Sequence, residues 1–226
     1  MALEKIVALV PMRHDSVRVP GKNYRQMAGK PLFYHILETL QRCPEISKIV
    51  VDTDSPVILQ GLKETFPDVI ALERPQHLRA DTIPTNEILM HDTAQVSADL
   101  YLQTHSTNPL LKSETISNAI KALKQVFPAY DSAFAVTRLQ TRLWDELGRS
   151  INHNPAILLR TQDLPPIYEE NSCFYLFTRE TLSLRRNRIG ERPMLVEIPR
   201  EEAWDIDEEI DFLVADILMR KRLSLD

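Results

Sequence analysis

The sequence has little cysteine, little glycine and no surplus of positive charge. Of its 226 residues, 2 are Cys and 5 are Gly, against 15 Pro, and the formal net charge is −5. Two cysteines are too few for a disulfide framework or a Cys-rich metal site, so a reducing, cytoplasmic setting is expected. A net negative charge argues against general binding to nucleic acids or membrane surfaces, because both need a surplus of Lys and Arg. Any phosphate-binding site must therefore rest on a local cluster of Lys and Arg rather than on the charge of the whole chain.

Long apolar runs and the common nucleotide-binding signatures are also missing. The apolar run at residues 6–10 is too short to span a bilayer, and no signal-peptide cleavage pattern accompanies it. Neither the P-loop pattern G-x-x-x-x-G-K-[ST] nor the G-x-G-x-x-G fingerprint occurs. We therefore expect no membrane segment, and ordinary P-loop ATPases and dinucleotide dehydrogenases lose support.

What the sequence does contain is a repeated change from a short apolar run to an amphipathic stretch. This alternation predicts strands at residues 6–10, 49–51, 69–72, 99–103, 132–136, 173–177 and 194–198, and helices at residues 31–42, 57–66, 85–93, 113–127 and 208–222. The first strand is expected to stop at Pro11, and the last helix to bury Ile210, Leu213, Val214, Ile217 and Leu218. Such a pattern is typical of right-handed βαβ units in a three-layer α/β fold with a mostly parallel sheet, here one domain over residues 1–226.

The regular alternation is interrupted at residues 138–166. This stretch contains Trp144, the run Asn152-His153-Asn154 and the pair Pro165-Pro166. It predicts a small hairpin excursion from the domain, and an oligomerisation arm is one possible role.

The segment after the first strand, residues 11–31, carries five Lys or Arg and a single acid, Asp15. The cations are Arg13, Arg18, Lys22, Arg25 and Lys30. We call this segment the basic loop. Because α/β sheets bind ligands at the carboxyl ends of their strands, its position favours phosphate binding. The alternative is a solvated basic loop without a ligand, which is what most charge runs are.

A second charged stretch, residues 201–216, contains eight acids and no Lys or Arg. We call it the acidic segment. Asp205 and Asp207 are two residues apart, so in an extended chain both carboxylates lie on one face, an arrangement suited to Mg²⁺. The alternative is that these acids complement the dipole of the following helix or cap it.

Several motifs resemble those of the acylneuraminate cytidylyltransferase (CMP-sialic acid synthetase) family and its relatives acting on other 2-keto-3-deoxy sugar acids. They are V-A-L-V-P-M-R at residues 7–13, S-x-x-x-P-G-K-N at 16–23, A-G-K-P-L at 28–32 and W-D-I-D at 204–207. The resemblance implies a Rossmann-like nucleotide-binding topology and a Mg²⁺-dependent enzyme. That enzyme would join CTP to a sialic acid-like nonulosonic acid, giving a CMP-sugar and pyrophosphate. It also implies a homodimer in which the excursion forms the dimer contact and reaches toward the neighbouring sugar site.

The same resemblance implies roles for individual residues. Arg13, Lys22 and Asn23 would hold the triphosphate, with Arg13, Lys22 and Asp207 counted as catalytic. Asp205 and Asp207 would bind Mg²⁺. Arg74, Ile83 and Thr85 would line the cytosine pocket, and Gln103, Arg160, Tyr168 and Asn171 would contact the sugar acid. For Asp211 a capping or structural role is expected.

This chain departs from the family pattern at three places. His14-Asp15 stands where the family has two Gly, Ser172 replaces a Gly, and the stretch after Gln103 has an extra residue and no Pro, with His105 inside it. Two alternatives remain open. One is a sugar nucleotidyltransferase of the same fold that is Kdo-type or uses another nucleotide, and the other is a non-catalytic nucleotide-binding relative.

Overall fold

A computed structural model describes residues 3–224. The strands are β1 (Ile6–Met12), β2 (Gln26–Met27), β3 (Lys30–Pro31), β4 (Ile46–Thr53), β5 (Ile70–Glu73), β6 (Leu100–Thr104), β7 (Ser132–Leu139), β8 (Ile167–Phe177) and β9 (Pro193–Glu197). The helices are α1 (Leu32–Gln41), α2 (Pro56–Thr65), α3 (Thr85–Gln95), α4 (Ser113–Val126), α5 (Arg179–Arg185) and α6 (Glu209–Leu223). Of these, α5 was not predicted; the Thr178 hydroxyl caps it by accepting from the Thr181 amide at 3.1 Å.

Seven strands form the central sheet in the order β5-β4-β1-β6-β8-β7-β9, while β2 and β3 make a separate hairpin. Strands β5, β4, β1 and β6 are parallel, β8 is antiparallel to both neighbours, and β9 is parallel to β7. One face packs against α1, α2 and α4, and the other against α3 and α5. The predicted three-layer, mostly parallel α/β fold is confirmed.

Strand β1 does not stop at Pro11, as predicted, but continues to Met12. It pairs with β6 only as far as Leu9, whereas its pairing with β4 continues through Pro11 and Met12. Proline is tolerated there because one side of the strand no longer needs a hydrogen-bond donor. The strand therefore delivers the basic loop directly at the carboxyl edge of the sheet.

The predicted buried face of the last helix is wrong for three of its five residues, while Leu218 packs, partly buried, against the core that the helix contacts. Helix α6 buries Phe212, Ala215 and Met219 against Met27, Leu32 and other residues around the β2-β3 hairpin. Ile210, Leu213 and Ile217 are instead 59, 54 and 64% exposed. Apolar residues occur at helical spacing on both sides of α6, so periodicity alone does not identify the packed side.

Residues 140–166 contain little regular structure. An isolated antiparallel bridge joins Trp144 to Ser150, and a 3₁₀ turn covers Thr161–Asp163. Many large apolar side chains in this excursion are exposed: Trp144, Leu147, Ile151, Ile157, Leu158 and Leu159. Within residues 3–224, no helix is both long and apolar enough to cross a membrane.

Candidate active site

The basic loop makes a tight turn at Gly21. Gly21 has φ +64°, and a Cβ there would lie 2.8 Å from Cε2 of Tyr24. A side chain at this position would therefore be both strained and blocked. The turn starts a short 3₁₀ helix, Lys22–Tyr24, which directs Lys22 toward the C-terminal part of the chain.

The structure brings the basic loop and the acidic segment together. Arg18 Nη2 lies 2.6 Å from Asp207 Oδ1, and Lys22 Nζ donates to the Ile206 carbonyl oxygen at 2.5 Å. Lys22 Nζ is also 4.0 Å from Asp207 Oδ1. The two oppositely charged stretches are thus in contact and belong to one site.

Backbone hydrogen bonds hold the acidic segment in this position. The Ile206 amide donates to the Thr107 carbonyl, 3.0 Å away in the loop after β6. The Ala28 amide of the β2-β3 turn donates to Asp216 Oδ1 at 2.6 Å. Asp211 Oδ2 accepts from the amides of Asp207 and Glu208, so its capping role is confirmed.

A cavity of about 370 Å³ opens beside this contact, lined by the basic loop, Asp81 and the loop after β6, and we call it the basic cavity. Its lining includes Arg13, Arg18, Lys22, Asn23 and His105. Burial lowers the pKa of Lys22, while the nearby carboxylates of Asp205 and Asp207 act in the opposite direction. A cation that is partly desolvated in this way interacts strongly with an incoming anion.

Two of the predicted phosphate ligands are already engaged within the chain. Arg13 Nη1 is 2.7 Å from Asp81 Oδ1, across the mouth of the cavity. Asn23 is buried; its Nδ2 donates to the Arg13 carbonyl and its Oδ1 accepts from the Ser106 hydroxyl. Asn23 thereby joins the loop after β1 to the loop after β6 and orients the backbone at Arg13.

His14, which stands where the family has Gly, does not line the basic cavity. Its amide donates to Asp54 Oδ1, and its Nδ1 is 2.8 Å from the Ser55 hydroxyl at the end of β4. Its ring stacks on Tyr24, with centroids 5.3 Å apart. Asp15, in contrast, does line the cavity. Of the two residues, only Asp15 therefore affects the space and charge of the basic cavity directly.

Asp205 has the properties of a cation ligand. Its Oδ1 is buried and has no hydrogen-bond partner within residues 3–224, although Thr107 hydrogen-bonds to the side chain. Burial raises the pKa of Asp205, and the charge of Asp207 raises it further. A cation at the orphaned oxygen would remove both penalties, so the residues present fit a Mg²⁺ ion.

A smaller cavity of about 230 Å³ adjoins the basic cavity and shares Pro11, Arg13 and His105 with it. Its other walls are Arg74, Thr85 and Ile88, so we call it the Arg74 cavity. The amide of Ile83, the remaining predicted base contact, donates to the Ala80 carbonyl at 3.0 Å in the preceding turn.

Arg74 is buried in a charged cluster. Its Nε donates to Asp52 Oδ1 and its Nη2 to the Met12 and Asp52 carbonyls, while Nη1 has no partner among the described residues. Asp92 and His91 of α3 complete the cluster. Burial, followed by the Asp52 charge, raises the pKa of Asp92 to about 8. Arg74 already supplies the cation that this acidic pair requires.

The four residues expected to contact a sugar acid are dispersed. Gln103 is fully buried, and Asn171 bonds to the Thr137 hydroxyl and the Cys173 amide. Tyr168 lies in β8, and Arg160 is 73% exposed and forms an ion pair with Asp163 in the excursion. None of the four lines the basic cavity or the Arg74 cavity in the described part of the chain.

Sequence reasoning missed Arg188, which donates from Nη1 to Gln103 Oε1 at 2.8 Å and covers the Tyr175 ring. It follows α5 in an irregular loop, and no sequence signal distinguished it from the neighbouring Arg185 and Arg186.

Taken together, an open α/β sheet, a cation-lined cavity at the carboxyl ends of β1 and β6, and a buried carboxylate oxygen without a hydrogen-bond partner among the described residues are typical of an enzyme of the nucleotidyltransferase class. Comparisons with known proteins give the family.

A family model described as Cytidylyltransferase matches residues 7–217. The chain is 30% identical to the CMP-N,N'-diacetyllegionaminic acid synthase of Legionella pneumophila subsp. pneumophila, over 95% of this chain and 96% of that protein. It is 25% identical to the N-acylneuraminate cytidylyltransferase of Oncorhynchus mykiss, over 93% of this chain but 49% of that protein. The chain therefore belongs to the cytidylyltransferase family.

A solved structure gives the same fold. It is a CMP:2-keto-3-deoxy-manno-octonic acid synthetase complexed with CTP, with a TM-score of 0.71 at 17% identity. The alignment covers 96% of this chain and 99% of that one.

Proposed function

We propose that this enzyme activates a 2-keto-3-deoxy sugar acid, a sialic acid-like nonulosonic acid, with CTP to give the CMP-sugar and pyrophosphate. The observation that carries the proposal is the contact between the basic loop, whose Arg18 and Lys22 line the basic cavity, and Asp207 of the acidic segment. Membership of the cytidylyltransferase family supports CTP as the nucleotide. The names of the Legionella and Oncorhynchus relatives support an acidic nine-carbon sugar.

In the proposed reaction the anomeric hydroxyl of the sugar acid attacks the α-phosphorus of CTP in line with the departing pyrophosphate. Arg13 and Lys22 bind the phosphates and neutralise the charge that develops on the leaving group. Asn23 holds the Arg13 backbone in place, which keeps the cations preorganised. Little covalent chemistry is required of the protein.

Asp205 and Asp207 are the proposed Mg²⁺ ligands. The orphaned Oδ1 of Asp205 supports this role, and the half-exposed Asp207 lies beside it in the acidic segment. When bound, the ion supplies Lewis-acid stabilisation of the phosphate oxygens. Arg18 and Lys22, which neutralise Asp207 within the protein, then become available to the triphosphate.

The base and the sugar acid occupy separate parts of the proposed site. Arg74, whose Nη1 is unpartnered, together with Thr85 and the Ile83 backbone, receives the cytosine in the Arg74 cavity. Gln103, Asn171, Tyr168 and Arg160 are proposed for the sugar acid. Arg160 offers a forked guanidinium for its carboxylate, provided that the excursion brings it to a site.

The excursion makes that role compatible with a homodimer. Its exposed apolar side chains form the surface we propose for contact with a second copy, which would carry Arg160 toward the neighbouring site.

A cytoplasmic location is part of the same proposal, since Cys43 and Cys173 are both free thiols.

The proposal is tested by incubating the protein with Mg²⁺, one nucleotide and one sugar acid at a time, and measuring pyrophosphate and CMP-sugar. We expect turnover with CTP but not with UTP, GTP or ATP, and with nonulosonic acids above eight-carbon 2-keto-3-deoxy acids. Preference for the eight-carbon acid would support the Kdo-type alternative. CTP binding without pyrophosphate release across the panel would indicate a non-catalytic relative.

The metal assignment is tested with Asp207→Ala. We expect a loss of pyrophosphate release on the order of 10²-fold or more, because the charge of the triphosphate is no longer balanced. Glu209→Ala is the matched control, since Glu209 is a neighbouring acid whose partner Arg25 does not line the basic cavity, whereas Arg18, the partner of Asp207, does. Substantial turnover by Asp207→Ala would contradict the assignment of Asp207.

A further inference from the structure

His105 lies where the basic cavity and the Arg74 cavity meet. It follows β6 directly and lines both cavities, together with Pro11 and Arg13. A nucleotide with its base beside Arg74 and its phosphates beside Lys22 must pass His105 at the junction of ribose and phosphate. Which ring nitrogen of His105 carries the hydrogen therefore decides whether the ring can donate to the nucleotide at this junction.

The orientation of the Gln103 amide is fixed by Arg188. Arg188 Nη1 lies 2.8 Å from Gln103 Oε1, and a guanidinium has only donors, so the atom facing it must be the amide oxygen. The amide nitrogen then faces the other way, where it donates to the Thr104 carbonyl at 3.1 Å.

The same amide nitrogen lies 3.0 Å from Nε2 of His105. Because Gln103 donates in this pair, His105 Nε2 must accept and carries no hydrogen. The hydrogen of the neutral ring is therefore on Nδ1. Within residues 3–224, His105 Nδ1 makes no hydrogen bond of its own, so this donor is available to a ligand.

Arg188 is itself held in place. Its Cζ is 3.6 Å from the centroid of the Tyr175 ring, and the Tyr175 hydroxyl donates to Glu170 and lies 3.2 Å from the Ser172 hydroxyl. No carboxylate of the described chain forms an ion pair with Arg188, so its positive charge beside Gln103 and His105 is not neutralised. Burial, and then the charges of Arg188 and Lys22, lower the pKa of His105 to about 3, which keeps the ring neutral.

We propose that His105, held by Gln103 and Arg188 with its hydrogen on Nδ1, donates this hydrogen to the phosphate nearest the ribose of the bound nucleotide. This inference rests on the proposed function. An anionic phosphate oxygen is the strongest acceptor that a nucleotide brings to this junction. His105 is not the base that activates the attacking hydroxyl, because its lone pair at Nε2 is already engaged by Gln103.

Nucleotide binding tests the contact. The variants are His105→Phe, which has no donor, and His105→Asn, whose amide nitrogen takes approximately the position of Nδ1. We expect His105→Phe to bind CTP and CMP about tenfold more weakly by calorimetry, as expected for a lost hydrogen bond to a charged group. Binding of cytidine, which has no phosphate, should be unchanged. His105→Asn should recover most of the lost affinity, and His77→Phe, at an exposed site, is the control.

The tautomer is tested separately by nitrogen NMR of the histidine rings in the nucleotide-free protein. We expect His105 to carry its hydrogen on Nδ1, and Arg188→Met to shift the population toward the Nε2 form by releasing the Gln103 amide. The proposal is overturned if wild-type His105 is protonated on Nε2, or if His105→Phe binds CMP as the wild type does.

The two proposals fail in different ways. A wild-type protein that bound no cytidine nucleotide would contradict the proposed function and remove the phosphate contact with it. A wild-type protein that turned over CTP, with His105→Phe unaffected, would overturn the His105 inference alone.

Discussion

The Arg18 guanidinium lies 2.6 Å from the Asp207 carboxylate, although 189 positions separate the two residues in the sequence. The side chains are 61 and 50% exposed, so solvent screens the pair and it stabilises the protein by at most about 1 kcal/mol. Arg18 is therefore a cation that a metal ion can readily displace from Asp207.

Arg18→Gln should strengthen the binding of Mg²⁺ and weaken the binding of CTP. Without competition from the guanidinium, the Mg²⁺ concentration for half-maximal activity should fall by up to about fivefold, the equivalent of a 1 kcal/mol pair. The KM for CTP should rise, because the phosphates lose a cation. Steady-state titrations of each component measure both effects.

Arg25→Gln is the control, because Arg25 forms a comparable exposed pair with Glu209 but does not line the basic cavity. It should leave both constants unchanged. A higher Mg²⁺ requirement in Arg18→Gln would contradict the competition between Arg18 and the metal.

The buried carboxyl of Asp92 should make stability depend on pH. Its folded pKa of about 8 lies above the ordinary value of 3.8, so between these values the folded state holds a proton that the unfolded state has lost. The protonated Asp92 carboxyl therefore contributes fully to the free energy of unfolding below the unfolded pKa, and this contribution is lost as pH rises toward 8. Asp92→Asn should remove this dependence, up to about 1.4 kcal/mol per pH unit.

Denaturant unfolding of both proteins at pH 5, 6, 7 and 8 measures the difference. Asp68→Asn, at an exposed site, should give the wild-type slope. Equal slopes for wild type and Asp92→Asn would mean that Asp92 is not the group that takes up the proton.

Ser172 has a left-handed backbone with φ +58°, a conformation that favours glycine. Ser172→Gly and Ser172→Ala both lose the hydroxyl that lies 3.2 Å from the Tyr175 hydroxyl, so their difference isolates the backbone. Glycine should be more stable than alanine here by about 1 kcal/mol, since alanine disfavours positive φ. Thermal or denaturant unfolding gives the value, and an alanine variant as stable as the glycine variant would rule out backbone strain at this position.

Two exposed apolar surfaces can be compared for their role in dimerisation. Leu158 of the excursion is 87% exposed and Ile217 of α6 is 64% exposed. Leu158→Asp should convert the proposed dimer to monomers, because a charge would be buried in the contact. Ile217→Asp should leave the dimer intact. Light scattering after size-exclusion chromatography distinguishes them, and the reverse result would assign the interface to α6.

The order of strands and helices could be predicted because each element has the apolar spacing that its period requires. The sequence also indicated the two charged stretches that come into contact beside the basic cavity. The antiparallel direction of β8 could not be predicted, because a strand buried on both faces has the same apolar composition in either direction.

The environment of individual side chains was not available from the sequence either. The motif around Gln103 indicated a ligand contact, but the buried amide is engaged by Arg188, Thr104 and His105. Such an arrangement depends on where an irregular loop returns to the sheet, and residue spacing does not encode that.

The Ile206 amide bonded to Thr107 and the Ala28 amide bonded to Asp216 have a consequence for biosynthesis. A growing chain presents the basic loop well before the acidic segment that pairs with it. Until the acidic segment docks, the cations at the end of β1 face solvent without the two carboxylates. Competence to use a nucleotide therefore has to wait until that later segment has been made and has reached the sheet.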